Sequence, residues 1–358
     1  VRKVLEVFNP PQQRGRRHGS RALARAFAAL AIALLAAAAV GCGSSGSGSS
    51  PAGKRSTTAS SGKQLKFFFI SHAPAADPFS QIELNGVDEA RQQFGVDVTF
   101  RGPTRQTFDA ADEARLIRQA VAAKPDGIIT SDPSPDSINP AIKAAVDAGI
   151  PVVIFNQGNL ASVEQTGALG FVGQDETEGG RRAGAALCRT GATHVGVITI
   201  PPGTVSVDDR VRGLDEGFTC GRVTPIVVQI SQISNPAAVK AAIQAALAKD
   251  ASIDAMFSIG GGLIPAMMAA RAASGARADK IHWASFDTTV DSLKALSRGQ
   301  LGFLIDQQPF LQGYLPVQIL AHYLRYGLLP QPLTPTGPSL VTPATAGQVV
   351  DLVAKRIR

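Results

Sequence analysis

From residue 65 to residue 306 the chain repeats one unit, a short apolar run followed by an Ala-rich segment of helical period. The apolar runs are 65–70 (LKFFFI), 96–100, 127–130, 151–155 (PVVIF), 169–172, 195–200, 223–230, 255–259, 281–286 and 301–306. They are short, rich in Val, Ile and Phe, and bounded by turn residues, so they read as strands. The segments 78–94, 109–122, 138–148, 175–188, 208–218, 236–248 and 263–273 read as helices, with a last one at 344–357. Asp77-Pro78 supplies an N-cap followed by proline at the first helical position. Ala110, Ala114, Ile117 and Val121 lay one apolar stripe along 109–122. Strands separated by helices imply parallel sheets with right-handed crossovers. The rhythm changes phase near 169–175, so the expected fold class is α/β with two doubly wound parallel-sheet domains.

In such sheets a ligand sits beyond the carboxyl ends of the strands. Ser71, His72, Asp77 and Phe79 follow the first strand, Ser131-Asp132 the third, and Asn156-Gln157 the fourth. In the second half Asp175 caps its helix, Arg210 opens the next, Gly260-Gly261-Gly262 follows a strand, Asp287 follows Phe286, and Gln307 follows 301–306. Carboxylates, amides and one Arg hydrogen-bond hydroxyl groups, and an aromatic ring offers a flat apolar face to the C–H side of a sugar. Trp283 lies within a strand and reads as core. The glycine triplet lacks the Lys-Ser/Thr of a phosphate-binding loop, so it reads as a wall that leaves room for ligand. No metal site and no cofactor is expected, because no CxxC or His/Cys spacing is present.

The start of the chain speaks to location. Arg14, Arg16, Arg17, Arg21 and Arg25 precede an apolar run, 26–40, that ends at Gly41-Cys42 and a Gly/Ser tract. This is the layout of a bacterial lipoprotein signal peptide over 1–41, with Cys42 as the lipidated residue. The run is about 15 residues, short of the roughly 20 that a spanning helix needs. The remainder is then expected outside the cytoplasm, tethered to the cell membrane through a flexible linker, 42–63. Residues 1–41 hold seven of the 35 basic residues and one of the 28 acids, which leaves the rest of the chain at a net charge of +1. The high overall pI therefore belongs to export, and no nucleic-acid partner is expected. Of three cysteines, Cys188 and Cys220 remain, and they read either as a disulfide in an oxidising compartment or as two buried thiols.

Six segments together resemble one family: DPF at 77–79, GIPVVIFN at 149–156, FVGQDETEGGRRAG at 171–184, DRVRGLDEGF at 209–218, SFD at 285–287 and DQQPFLQGY at 306–314. They resemble the substrate-binding proteins of bacterial ABC sugar importers, the ribose-binding type (periplasmic-binding-protein type I), related to the effector domains of lac-repressor-like regulators. The resemblance covers about residue 64 to the end. It implies an N-terminal lobe of 64–174 plus 308–335 and a C-terminal lobe of 175–307 plus 336–358. The lobes are joined by a three-stranded hinge near 173–175, 306–308 and 334–336. Asp77, Phe79, Asn156 and Gln157 would then line one wall, Arg210, Gly260 and Asp287 the other, and Gln307 the hinge. Relatives of the ribose type usually carry Asp-Arg at Asn156-Gln157, Asn-Asp at Gly260-Gly261, and Phe at Ser80, so different hydroxyls would be read. The implied function is a monomeric, non-enzymatic binder that closes on a sugar or polyol and presents it to an ABC permease. The alternatives are a sensor that presents a sugar or autoinducer to a receptor, and a cleft hydrolase, for which no GxSxG nucleophile motif is present.

Overall fold

The computed structural model describes residues 63–103 and 108–358, so the expected signal peptide, Cys42 and nearly all of the expected linker lie outside the described residues. Strands β1 (Lys66–Ile70), β2 (Asp97–Arg101), β3 (Gly127–Thr130), β4 (Val152–Phe155) and β5 (Gly170–Gly173) lie side by side in the order β2-β1-β3-β4-β5, all parallel. Strands β6 (His194–Thr199), β7 (Arg222–Val227), β8 (Ala255–Ser258), β9 (His282–Phe286) and β10 (Phe303–Asp306) repeat that order as β7-β6-β8-β9-β10. The end of the chain adds one edge strand to each sheet. β11 (Leu333–Pro335) joins β5 in parallel, and β12 (Ser339–Val341) joins β10 antiparallel.

Side-chain alternation explains why both faces of the first sheet are covered. Ile128, Val152 and Ile154 face α2 (Ala110–Ala122), α3 (Pro135–Asp147) and α4 (Leu160–Thr166). Ile129, Val153 and Phe155, the next residues along, face α1 (Pro78–Phe94) and α10 (Pro309–Tyr326). The second sheet is wrapped by α5 (Glu176–Cys188), α6 (Val205–Gly217), α7 (Pro236–Lys249), α8 (Ile264–Ala273), α9 (Val290–Ser297) and α11 (Val350–Ala354), which share one apolar cluster with it. Trp283 belongs to that cluster at 3% exposure, its indole N–H donating to Ala278 O at 3.0 Å. Each fully buried Phe, Ile or Val contributes about 1.5–3 kcal/mol.

Two helix pairs touch backbone to backbone. A Cβ on Gly213 of α6 would stand 2.0 Å from Thr177 O of α5, and one on Gly180 of α5 would stand 2.2 Å from Arg210 O. In the first lobe a Cβ on Gly86 of α1 would meet Phe310 O of α10 at 2.1 Å. Only glycine permits this approach. In the second lobe its consequence is that the head of α5 lies against the side chains of α6.

The same pair is stapled at its other end. Cys188 closes α5 and bonds Cys220, just beyond α6, with Cα atoms 5.7 Å apart across a sequence separation of 32. Reduction is expected to remove about 2–4 kcal/mol of stability, from the chain entropy that a loop of this length withholds from the unfolded state. Urea midpoints with and without reductant check this; identical midpoints refute it.

The chain passes between the lobes three times: from β5 to α5, from β10 to α10, and from β11 to β12. The C-terminus differs from the helix expected at 344–357. A 3₁₀ turn, Ala346–Gln348, precedes α11, a helix of only five residues. The Thr345 hydroxyl accepts from Thr342 N–H and donates to Thr342 O, and this competes with helix initiation. Helix α6 begins at Val205, three residues before the expected 208, which puts Ser206 in its first turn. Among the described residues no helix is long and apolar enough to cross a membrane.

Candidate functional site

Both sheets reverse strand order between their first and third strands, β1/β3 and β6/β8, and the polar residues gather at those strand ends. In the first lobe the loop after β1 meets the loop after β3. His72 N–H donates to Ser131 Oγ at 3.0 Å, and its Nδ1 lies 3.3 Å from the same oxygen. Ser131 Oγ in turn donates to Glu113 Oε1, on α2. His72 is half-buried, and its pKa is lowered to about 4, first by burial and then by the positive charge of Arg210. That coupling reaches from one lobe to the other.

Asp132 is 0% exposed, and neither of its carboxylate oxygens has a hydrogen-bond partner among the described residues. Burial raises its pKa to about 6, and the nearby Ser162 hydroxyl at the head of α4 opposes the rise. A buried carboxylate with only one hydroxyl near it is still short of donors, and is costly unless more arrive from elsewhere. Asp77 is spent differently. It caps α1, accepting from Phe79 N at 2.9 Å and Ser80 N at 3.2 Å, and so fixes the half-buried Phe79 ring at the helix head.

The fourth strand of each lobe ends in a polar residue with left-handed backbone: Asn156 after β4 (φ 55°) and Asp287 after β9 (φ 70°). Asn and Asp tolerate this region better than most residues, and such strain collects at functional sites. Asp287 Oδ2 accepts from Gly261 N at 2.7 Å and Oδ1 from Gln307 Nε2 at 2.5 Å. Burial raises the Asp287 pKa, and Arg210 only partly opposes the rise. Gly260 is extended, and a Cβ there would find only Asp287 Oδ2 nearby, at 3.7 Å.

Arg210 is 6% exposed and is already engaged. Its Nε and Nη2 each donate to Glu176 at 2.7 Å, its Nη1 donates to Ile259 O at 2.7 Å, and its guanidinium lies 4.5 Å above the Phe286 ring. Burial works against its charge, but Glu176 overcomes this and holds the pKa above the usual value. Glu176 is held by Gln174 Nε2 as well, at 2.6 Å, and burial still raises its own pKa. The expected Arg fork for ligand hydroxyls is therefore largely occupied by a buried carboxylate.

The hinge is tied to both walls. Gln307 O accepts from Thr336 Oγ1 at 2.8 Å and from Gln312 Nε2 at 3.2 Å, while Gln312 Oε1 accepts from Asn156 Nδ2 at 2.8 Å. Asn156 thus serves the hinge with its amide N–H, and Gln307 connects hinge to Asp287. The lobes also meet directly: Val205 N donates to Pro133 O at 3.4 Å, and Ser206 Oγ donates to Gln157 Oε1. His72, Asp132, Gln157, Arg210, Asp287 and Gln307 share this interlobe region. Asp77 and Asn156 reach it mainly through the elements they hold.

Sequence reading did not single out Glu113, Glu176, Gln174, Ser206 or Gln312. Glu113 had a readable signal, an acid four residues before Ile117 on the apolar face of α2, where both are buried. Glu176 stood beside the expected cap Asp175, whose Oδ1 accepts from Glu178 N at 2.9 Å.

The two-sheet fold agrees with what the chain is similar to. The model of the periplasmic binding protein domain matches residues 67–328. The chain belongs to the periplasmic binding protein family. Within that family it is 32% identical to a carbohydrate transporter from Acidothermus cellulolyticus 11B solved in complex with myo-inositol, covering 83% of this chain and 100% of that one at a TM-score of 0.75. It is 23% identical over 290 residues to the xylose/arabinose-binding protein XylF of Sulfolobus acidocaldarius, covering 77% of this chain and 71% of that protein. An ABC transporter solute binding protein from Burkholderia graminis C4D1M, solved with D-arabinose, shares the periplasmic binding protein fold at a TM-score of 0.70 and 22% identity.

Proposed function

We propose that this periplasmic binding protein captures an uncharged sugar or cyclic polyol between its lobes, without converting it, and delivers it to an ABC permease. One observation carries the reading: Asp132, fully buried at the β3 end, keeps both oxygens without partners among the described residues. Vicinal hydroxyls of a carbohydrate ring supply two donors at the right spacing for one carboxylate. His72, Phe79, Asp132 and Gln157 form the first wall, and Arg210, Gly260, Asp287 and Gln307 the second. Ser131, Asp77 and Asn156 hold them. The relatives that bind pentoses and myo-inositol support the ligand class. Lipidation at Cys42 and action as a monomer belong to the same reading.

Closure follows from differential contact. A ligand touching both walls favours the closed form by the free energy of the second wall's contacts, a hinge motion about the three crossings. A thermal-shift screen of pentoses, hexoses, polyols and inositols tests the reading. A true ligand at 100-fold its Kd is expected to add about 2.7 kcal/mol of stability. A panel in which no member moves the melting point would sink it.

A further inference from the structure

We propose that Glu113, buried on α2, is a positioning residue that fixes His72 as a hydrogen-bond acceptor for the ligand. This rests on the carbohydrate reading and adds the direction of one hydrogen bond to it. Ser131 Oγ has three neighbours: Glu113 Oε1, to which it donates, the His72 backbone N–H at 3.0 Å, and His72 Nδ1 at 3.3 Å. A hydroxyl carries one hydrogen. Once that hydrogen is directed to Glu113, the oxygen can only accept, so Nδ1 must bear the ring hydrogen. A neutral imidazole with hydrogen on Nδ1 presents a bare lone pair at Nε2.

The surroundings keep the ring neutral. Burial and the Arg210 guanidinium across the cleft hold its pKa near 4, and Phe108 meets the ring edge-on at 6.3 Å. Burial also pushes the Glu113 carboxyl well above its ordinary range, and Oε2 is the oxygen without a partner among the described residues. The direction of the relay rests on Oε1 staying an acceptor: a carboxyl proton on Oε1 would instead be donated to Ser131 and turn the hydroxyl hydrogen toward Nδ1, the arrangement that the tautomer measurement separates from this one. With Asp132 beside it, the first wall then offers acceptors in excess: Nε2 of His72 and both oxygens of Asp132. The matching ligand face must donate, which a hydroxyl does and a methoxy or fluoro substituent does not.

The tautomer is measurable directly, by two-bond ¹H–¹⁵N correlation of the histidine rings in the ligand-free full chain at pH 7. The His72 signal is identified by its loss in His72→Gln. The expected pattern is a protonated Nδ1 and an unprotonated Nε2, shifting toward an Nε2-protonated ring in Glu113→Leu, where Ser131 is released to donate to Nδ1. An Nε2-protonated ring in the unaltered protein would mean that the relay runs from Glu113 through Ser131 to Nδ1, and would overturn the proposal. So would a Glu113→Leu spectrum identical to the parent's. If Glu113→Leu does not fold, Ser131→Ala serves instead, because loss of the Nδ1 partner must also relax the tautomer. The spectrum needs no ligand, so failure of this inference and failure of the carbohydrate reading in the thermal-shift screen are separate results.

Discussion

Glu176→Ala is expected to cost the folded protein about 3–5 kcal/mol, the largest loss of any single polar substitution in the cleft. The Arg210 guanidinium is 6% exposed and gives Glu176 two charge-assisted hydrogen bonds at 2.7 Å. Removing the acid leaves a full charge in the interior, with only Ile259 O at 2.7 Å and the Phe286 ring for company. The glycine contacts between α5 and α6 hold the two backbones at fixed separation, so the arginine cannot relax outward without parting the helices. Ligand affinity should fall in the same variant, because Arg210 also sets the charge felt by His72 and Asp287. Urea unfolding at pH 7 measures the cost, and a loss below about 1 kcal/mol would refute it. The double variant Glu176→Leu/Arg210→Met should lose much less than the two single variants summed, since it removes both charges together.

Asp132→Asn is expected to stabilise the ligand-free protein while abolishing ligand binding. Burial raises the Asp132 pKa from 3.8 to about 6. The folded state therefore holds this proton more tightly than the unfolded state does. Its contribution favours folding below roughly pH 4 and is lost as pH rises through 6. The shift corresponds to about 3 kcal/mol of penalty at pH 7. Asparagine removes the ionisation, so the variant should match the parent near pH 4 and exceed it at pH 7, by an amount approaching that figure. Its melting point should no longer respond to the ligand that shifts the parent. A variant less stable than the parent at pH 7 would show that the carboxylate has partners in solution, and would remove the main support for the proposed function. The trade is of a familiar kind, in which a binding site keeps an unsatisfied group that only its ligand completes.

The architecture was legible because the hydrophobic pattern repeats at short range. Strands β3 and β4 are buried throughout because both sheet faces are covered, and the Asp77-Pro78 start marks α1 to the residue. Legibility failed where local signals were weak. Helix α4 has seven residues, and the Thr342/Thr345 turn broke the expected terminal helix into short pieces. The strand ends pointed to residues that the fold brings to the interlobe edges of the two sheets, because the carboxyl edge of a parallel sheet is where loops are free to carry polar groups.

What the sequence determined by itself is the alternation that dictates two parallel sheets and the loops that hold polar residues at their edges. What only the tertiary structure decided is how those residues are spent: Arg210 on Glu176, Asn156 on Gln312, and Asp132 buried near the Ser162 hydroxyl without a close hydrogen bond to either oxygen among the described residues. The physical reason is range. Periodicity and capping act within a few residues along the chain, whereas the pairing of Arg210 with Glu176 spans 34 residues and that of Asn156 with Gln312 spans 156, and both depend on how closely folded elements pack.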